Sequence, residues 1–341
     1  MLGAPDARTV AVFPGRTLLK RSISFVYRQL NSRQRLTLGK LPGLWTLYRA
    51  FTRRWLSSRC AEDGLALIRL ERFAFYMEAK ESSGEGLLFD SYEPATTFVF
   101  ERLVAPGDLV VDVGAHWGYF TLLAATLCGE TGRVIAFEPH PRNVSVLTKN
   151  LQANRFHSVE VVAKAVCDGE GVAKLFLSRG SSGNSLISLP PGAEQAPGES
   201  ECLPVETVTL DGFFALQSRR PTLVKMDIEG AELAAFDGMS TLIRETADLV
   251  LITEFNPFYF PGAKGKAFLT RLTGQGFELA IVDDARFQIE AGSLEQVSRR
   301  ALNKGYKFNL LAARPGRINR VLSSRAIPGA IRRRAPKIVW V

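Results

Sequence analysis

The chain has 341 residues, 46% hydrophobic and 23% charged, the balance of a globular protein and not of a disordered one. Its net charge of +9 is uneven: residues 1–60 carry 12 Lys/Arg and the single acid Asp6, residues 314–341 carry 8 Lys/Arg and no acid, and the middle has 33 acids against 23 bases. No apolar run approaches the roughly 18 residues of a membrane span, and four cysteines without a CxxC pair, with only three histidines, argue against a Cys/His zinc site.

In the first basic arm, apolar residues recur at helical spacing over 17–30 (Leu18, Leu19, Phe25, Val26, Leu30) and over 44–57 (Leu44, Leu47, Tyr48, Phe51, Trp55). Arg28, Arg49, Arg53 and Arg54 fall between them. Such helices either dock on the acidic body or lie on an anionic membrane surface, and amphipathicity alone does not choose. The Arg-rich start also has a weak likeness to a mitochondrial presequence. With no secretory signal pattern, reduced thiols and a cytoplasmic location, membrane-associated at the inner surface in the second case, are the expectation.

Loose alternation over 65–77 reads as one or two short strands, and Glu93 to Val104 reads as a helix closed by Ala105-Pro106-Gly107. Strands follow at 108–113, 133–137, 159–166, 222–226, 248–254, 277–283 and 306–313. Helical patterns occupy 118–128, 142–153, 231–244 and 264–274. This alternation predicts an α/β fold with a mainly parallel sheet covered on both faces. Residues 172–177, after the turn Asp168-Gly169-Glu170-Gly171, read as a hairpin strand, and the Ser/Gly/Pro-rich 178–200 as a long loop or lid. The expected divisions are a basic helical extension (1–60), a lead-in (61–104), the main domain (105–313) and a basic tail (314–341).

Three segments carry chemistry. In the first, a hydrophobic strand ends in Asp112, a turn holds Gly114 and Gly118, and a helix opens. Glycine permits positive φ and close approach of a ligand, and the helix start offers free amides. A dinucleotide site would read G-x-G-x-x-G, whereas this turn reads G-x-x-x-G behind an acid. A carboxylate there repels a pyrophosphate but suits the ammonium of S-adenosylmethionine; the turn could also serve packing alone. In the second, Glu138 closes a buried strand 26 residues after Asp112, near the spacing at which an acid holds ribose hydroxyls. In the third, a strand runs into Asp227-Ile-Glu229-Gly230-Ala-Glu232. Carboxylates at that edge could deprotonate a hydroxyl, orient an acceptor or bind a divalent metal. Alternatively Asp227 caps the next helix, with Glu229 and Glu232 complementing its dipole, the role favoured for Glu232.

Together, DVGAHWGYFT at 112–121, GRVIAFEP at 132–139, NLQAN at 150–154, VKMDIEGAE at 224–232, Gly238-Met239 and the strand ending in Glu254 resemble the FkbM family of S-adenosylmethionine-dependent methyltransferases. The resemblance spans about 93–260 and implies a Rossmann-like seven-stranded, mainly parallel sheet. It implies O-methylation of a hydroxyl on a sugar, glycolipid or natural product, with S-adenosyl-L-methionine as cofactor. Asp112, Gly114 and Gly118 would form the methionine-end loop and Glu138 would hold the ribose. Asp227 and Glu229 would face the acceptor. His116 stands where the family leads one to expect asparagine; a histidine there can donate a hydrogen bond or act as a base.

For in-line transfer Asp227 is the first choice of base and His116 the second. A metal-assisted version, with Asp227 and Glu229 as ligands, stays open but has no sequence support beyond the two acids, and no metal ligand set is assigned. Three other readings compete. A nucleic-acid methyltransferase would use the basic arms on phosphates, but no recognisable RNA-binding module accompanies them. A dehydrogenase does not fit the glycine spacing, and a non-catalytic binding protein would not need Glu138 and Asp227 together.

Overall fold

The computed structural model describes residues 10–11, 60–61, 63–78, 87, 92–178, 183–186, 202–323 and 337–340. The two amphipathic patterns of the first arm, and most of the 178–200 loop, lie outside these residues. The chain divides into two compact units, residues 1–93 with 149–155 and residues 94–148 with 156–341.

In the first unit β1 (Val10–Ala11) pairs parallel with β2 (Leu65–Arg69), which pairs antiparallel with β3 (Ala74–Glu78). Two asparagines complete the edge of β3. Asn150 Oδ1 accepts from the Tyr76 N–H at 2.5 Å, and its Nδ2 donates to the Tyr76 carbonyl at 3.0 Å. Asn154 does the same to Ala74, at 2.8 and 2.7 Å. The match is geometric: residues four apart on a helix advance about 6 Å, and residues two apart on a strand about 6.7 Å.

The second unit is a sheet with helices between its strands. In chain order it runs α1 (Pro94–Leu103), β4 (Leu109–Val113), α2 (Tyr119–Cys128), β5 (Arg133–Phe137), α3 (Pro141–Asn154, whose last residues belong to the first unit) and β6 (Val159–Val162). Then come β7 (Ala165–Val166), β8 (Gly171–Phe176), β9 (Cys202–Val208), α4 (Leu210–Phe214), β10 (Leu223–Met226), α5 (Glu232–Asp237), α6 (Ser240–Glu245) and β11 (Val250–Phe255). The chain continues through α7 (Ala263–Gly274), β12 (Glu278–Asp283), β13 (Gln288–Ala291), α8 (Leu294–Asn303), β14 (Phe308–Ala313), α9 (Arg317–Ser323) and β15 (Lys337–Trp340).

The main sheet has nine strands in the order β15-β13-β12-β14-β11-β10-β4-β5-β6. From β6 to β11 all pairings are parallel, whereas β14 is antiparallel to both β11 and β12. The expected seven-stranded, mainly parallel sheet is therefore corrected to a nine-stranded mixed one. The difference is β13, which folds back on β12 as a hairpin, and β15, which extends it. Four residues, Gln-Ile-Glu-Ala, are too short to show a period of two. Every residue of β4, β10, β11 and β14 is buried, as expected of strands covered on both faces.

Two sequence-expected elements are split. The strand at 159–166 divides into β6, in the main sheet, and β7, in a separate sheet of order β7-β9-β8. The helix at 231–244 breaks at Gly238, where a Cβ would fall 2.1 Å from the Cys167 carbonyl oxygen. Asp211 then caps α6, accepting the N–H groups of Thr241 and Leu242 at 2.9 and 2.7 Å. No described helix is long and apolar enough to cross a membrane.

From β4 the chain turns to β5 and β6 on one side, while β10 and β11 fill the other. In such sheets the crevice opens at the carboxyl ends of the two strands flanking the reversal. Here those strands are β4 and β10, with Asp112 beside Lys225 and Val113 beside Met226.

Candidate active site

Asp112 lies on β4 with 1% of its surface exposed. Its Oδ2 accepts from the Thr121 hydroxyl at 2.6 Å, and its buried Oδ1 has no partner among the described residues. Burial pushes this carboxyl above the usual range. Gly114 follows with φ of 80°, and a Cβ there would lie 2.0 Å from the Asp227 carbonyl oxygen. Glycine is thus required by the backbone after β10 as well as by its own conformation. Gly118, at φ of 92°, caps α2 with its backbone, and a Cβ would fall 2.3 Å from Leu147 Cδ1.

Glu138 follows β5 and is buried. Its Oε2 accepts the His116 backbone N–H at 2.8 Å; its Oε1 accepts the His140 N–H at 2.9 Å and Asn143 Nδ2 at 3.2 Å. A carboxylate has about four acceptor positions, so about one remains, on Oε2. Burial raises this carboxyl, and the three donors oppose the rise. His116 takes a left-handed φ of 51°, which turns its N–H to Glu138. Its ring stacks on Trp117 at 4.4 Å, and burial lowers the imidazole to about 3, so it is neutral at physiological pH.

Gly114, His116, Glu138, Asn143, Leu186 and Asp227 are among the residues lining one cleft. Phe176 at the end of β8 and Ser185 of the 178–200 loop exchange backbone hydrogen bonds at 2.8 and 3.1 Å, which brings Asn184 and Leu186 to the wall. The residues fit S-adenosylmethionine, whose amino, ribose and adenine groups all donate. Asp112 Oδ1 and Asn143 Oδ1 are buried acceptors without a described partner. The carboxylates of Glu138 and Asp227 in the cleft oppose a pyrophosphate.

At the other end Asp227 leaves β10, its N–H donating to the Val113 carbonyl at 3.0 Å. It does not cap the next helix. Glu232 closes that turn, accepting the N–H groups of Ile228 and Gly230 at 3.1 and 3.0 Å. Asp227 Oδ2 instead pairs with Lys225 Nζ at 3.1 Å, and that buried ammonium also lies 4.6 Å from the Phe120 ring. Burial pushes the Asp227 carboxyl up, but Lys225 and Lys307 outweigh it and hold the group below the usual range.

Glu229 has a left-handed φ of 51°. Its carbonyl accepts from the Ser185 hydroxyl at 2.6 Å, and its Oε2 from the Tyr259 hydroxyl at 3.1 Å. Glu254, on β11, pairs through Oε1 with Lys307 Nζ at 2.8 Å. Burial, reinforced by nearby carboxylates, pushes Glu229 and Glu254 each up to about 8. The structure thus gathers Asp112, Gly114, His116 and Glu138 at one end, and Asp227 and Glu229 at the other. Lys225, Glu254, Tyr259 and Lys307 were not singled out as site residues. A lysine inside Leu-Val-Lys-Met and a glutamate inside Leu-Ile-Thr-Glu-Phe are local signals; Lys307, brought in at the start of β14, leaves none.

Residues 112–279 match the family model of the methyltransferase FkbM domain. The comparison with curated proteins found no match. Among solved structures the chain is similar to methyltransferase FkbM from Methylobacillus flagellatus, at 15% identity over 79% of this chain and 60% of that one, with a TM-score of 0.36. It is similar to an rRNA methylase from Streptococcus thermophilus, at 10% identity over 64% of this chain and 93% of that one, with a TM-score of 0.36. Aeropyrum pernix fibrillarin in complex with natively bound S-adenosyl-L-methionine gives 11% identity over 76% and 86%, with a TM-score of 0.37. The family model, and not these distant likenesses, carries the assignment: through residues 112–279 the chain belongs to the FkbM methyltransferases, and its cofactor is S-adenosyl-L-methionine.

Proposed function

We propose that this methyltransferase O-methylates a hydroxyl of a sugar, glycolipid or natural-product acceptor. The observation that carries the reading is the position of Asp227, a carboxyl held below its usual range in the cleft, directly after the strand beside the one bearing Asp112. When bound, S-adenosylmethionine supplies an electrophilic methyl group on sulfur. Glu138 holds the ribose through its remaining acceptor position, and the Asp112 and Asn143 oxygens receive donors of the cofactor. Asp227 accepts a hydrogen bond from the acceptor hydroxyl and takes its proton as the oxygen becomes nucleophilic. Lys225 fixes the carboxylate in place, and Glu229 lines the acceptor side. His116, neutral and stacked on Trp117, orients Glu138 through its backbone. The polar 178–200 loop contacts the acceptor, and the basic arms bring the enzyme to an anionic membrane surface bearing lipid-linked acceptors.

Asp227→Asn tests the chemical assignment. Turnover falls by about 10²–10⁴-fold while cofactor affinity is nearly kept. Retained turnover with a lowered melting temperature would reduce Asp227 to a structural group. The acceptor class is tested by mass spectrometry of glycolipids and polysaccharides from cells with and without the protein. A shift of one methylene supports the reading, and a methyl mark appearing only in RNA would overturn it.

A further inference from the structure

We propose that Asp227, Glu229 and Glu254 form a divalent-cation site of the magnesium or manganese class at the carboxyl edge of β10 and β11. One carboxylate oxygen of each residue lies within 4.8 Å of the others. Oxygens on opposite sides of one cation are about 4.2 Å apart for magnesium and about 4.8 Å for calcium, so small side-chain movements would enclose an ion.

The second observation is how each carboxylate is held. Lys225 Nζ takes Asp227 Oδ2, the Tyr259 hydroxyl takes Glu229 Oε2, and Lys307 Nζ takes Glu254 Oε1. Each acid is thus anchored through one oxygen, as ligating carboxylates are, and the other oxygen of Glu229, Oε1, meets only the longer 3.9 Å contact to Lys307 among the described residues. For Glu254 that other oxygen, Oε2, is buried without a partner among the described residues, in a side chain only 4% exposed. Anchoring accounts for one oxygen of each acid; an orphaned buried oxygen beside two further carboxylates calls for a cation. Lys307 fills part of that role, 2.8 Å from Glu254 and 3.9 Å from Glu229. Its side chain is 58% exposed, so it can swing out as a cation enters. An all-oxygen donor set selects hard cations over zinc or copper. Beside an acceptor hydroxyl, such a cation would stabilise the developing alkoxide.

The proposal goes beyond the acceptor assignment, and its test needs no acceptor. The full chain, stripped with a chelator, is titrated with Mn²⁺, followed by loss of the free-ion electron paramagnetic resonance signal, and then with Mg²⁺ as competitor. The expected result is one saturable site per chain, displaced by Mg²⁺. Glu254→Gln weakens it by about tenfold or more, and Lys307→Met, which removes the competing ammonium, tightens it. Absence of a saturable site, or one that Glu254→Gln leaves unchanged in a folded protein, overturns the proposal. Should Glu254→Gln fail to fold, the exposed Lys307→Met decides alone, tightening supporting the site and no change overturning it.

Discussion

At the β4–β5 end of the cleft, Glu138 is surrounded by donors: two backbone N–H groups and the Asn143 amide. At the β10–β11 end, one carboxylate oxygen from each of Asp227, Glu229 and Glu254 lies close to the others, with Lys225 paired to Asp227 and Lys307 bridging Glu229 and Glu254. The first end is built mainly from local backbone, within a few residues of two strand ends. The second is assembled by tertiary structure from β10, β11, Tyr259 and the start of β14. A ligand of constant shape can be met by fixed backbone donors. A group whose charge changes during a reaction needs ionisable side chains that can respond, and burial of several together makes them sensitive to a proton or a cation.

The largest expected effect breaks both ends at once. Gly114→Ala adds a Cβ 2.0 Å from the Asp227 carbonyl oxygen at a φ of 80°. The backbone strain and the overpacking each cost about 1–3 kcal/mol. A lower thermal midpoint together with lost cofactor binding is expected. Unchanged melting and binding would mean that Gly114 does not couple the two ends.

Thr121→Val acts at the β4–β5 end alone. It removes the hydroxyl donating to Asp112 Oδ2, leaving a carboxylate that is already orphaned at Oδ1. The cost is about 1–3 kcal/mol, read by chemical denaturation. A neutral result would show that the Thr121 hydroxyl does not stabilise the buried Asp112 carboxyl.

The effect that is smallest near neutral pH, and grows only on acidification, concerns His116. The His116 imidazole is lowered to about 3 in the folded chain, against about 6.5 unfolded. The unfolded state therefore binds more protons between these values. The contribution of His116 to stability is present above about 6.5 and is lost as pH falls toward about 3. His116→Gln should flatten that part of the stability profile relative to the unsubstituted protein. Superimposable profiles would show that His116 titrates normally.

Much of the β4–β5 end of the cleft was legible in the sequence, because Asp112 and Glu138 each end a hydrophobic run and two glycines mark the turn. Asn150 and Asn154 were legible as a motif, but not as a helix edge that completes a strand. The β10–β11 end was legible only as Asp227 and Glu229. Glu254 sits in a strand that reads as apolar, and its partner Lys307 is 53 residues further along the chain. The alternative in which Asp227 caps the next helix does not hold: Glu232 takes the free N–H groups of that turn, while Asp227 is tied to Lys225 and Val113. The four-residue β13 and the break between β6 and β7 were hidden because so few residues carry no usable period.

The division of labour between the two ends is tested most directly by calorimetric titration of S-adenosylmethionine into the unsubstituted chain, Glu138→Ala and Asp227→Asn. Loss of a charge-assisted hydrogen bond at Glu138, worth about 1.5–3 kcal/mol, predicts cofactor affinity weakened by about tenfold or more. Asp227→Asn should leave that affinity nearly unchanged. The reverse pattern, with affinity kept by Glu138→Ala and lost by Asp227→Asn in folded proteins, would contradict the assignment of the two ends.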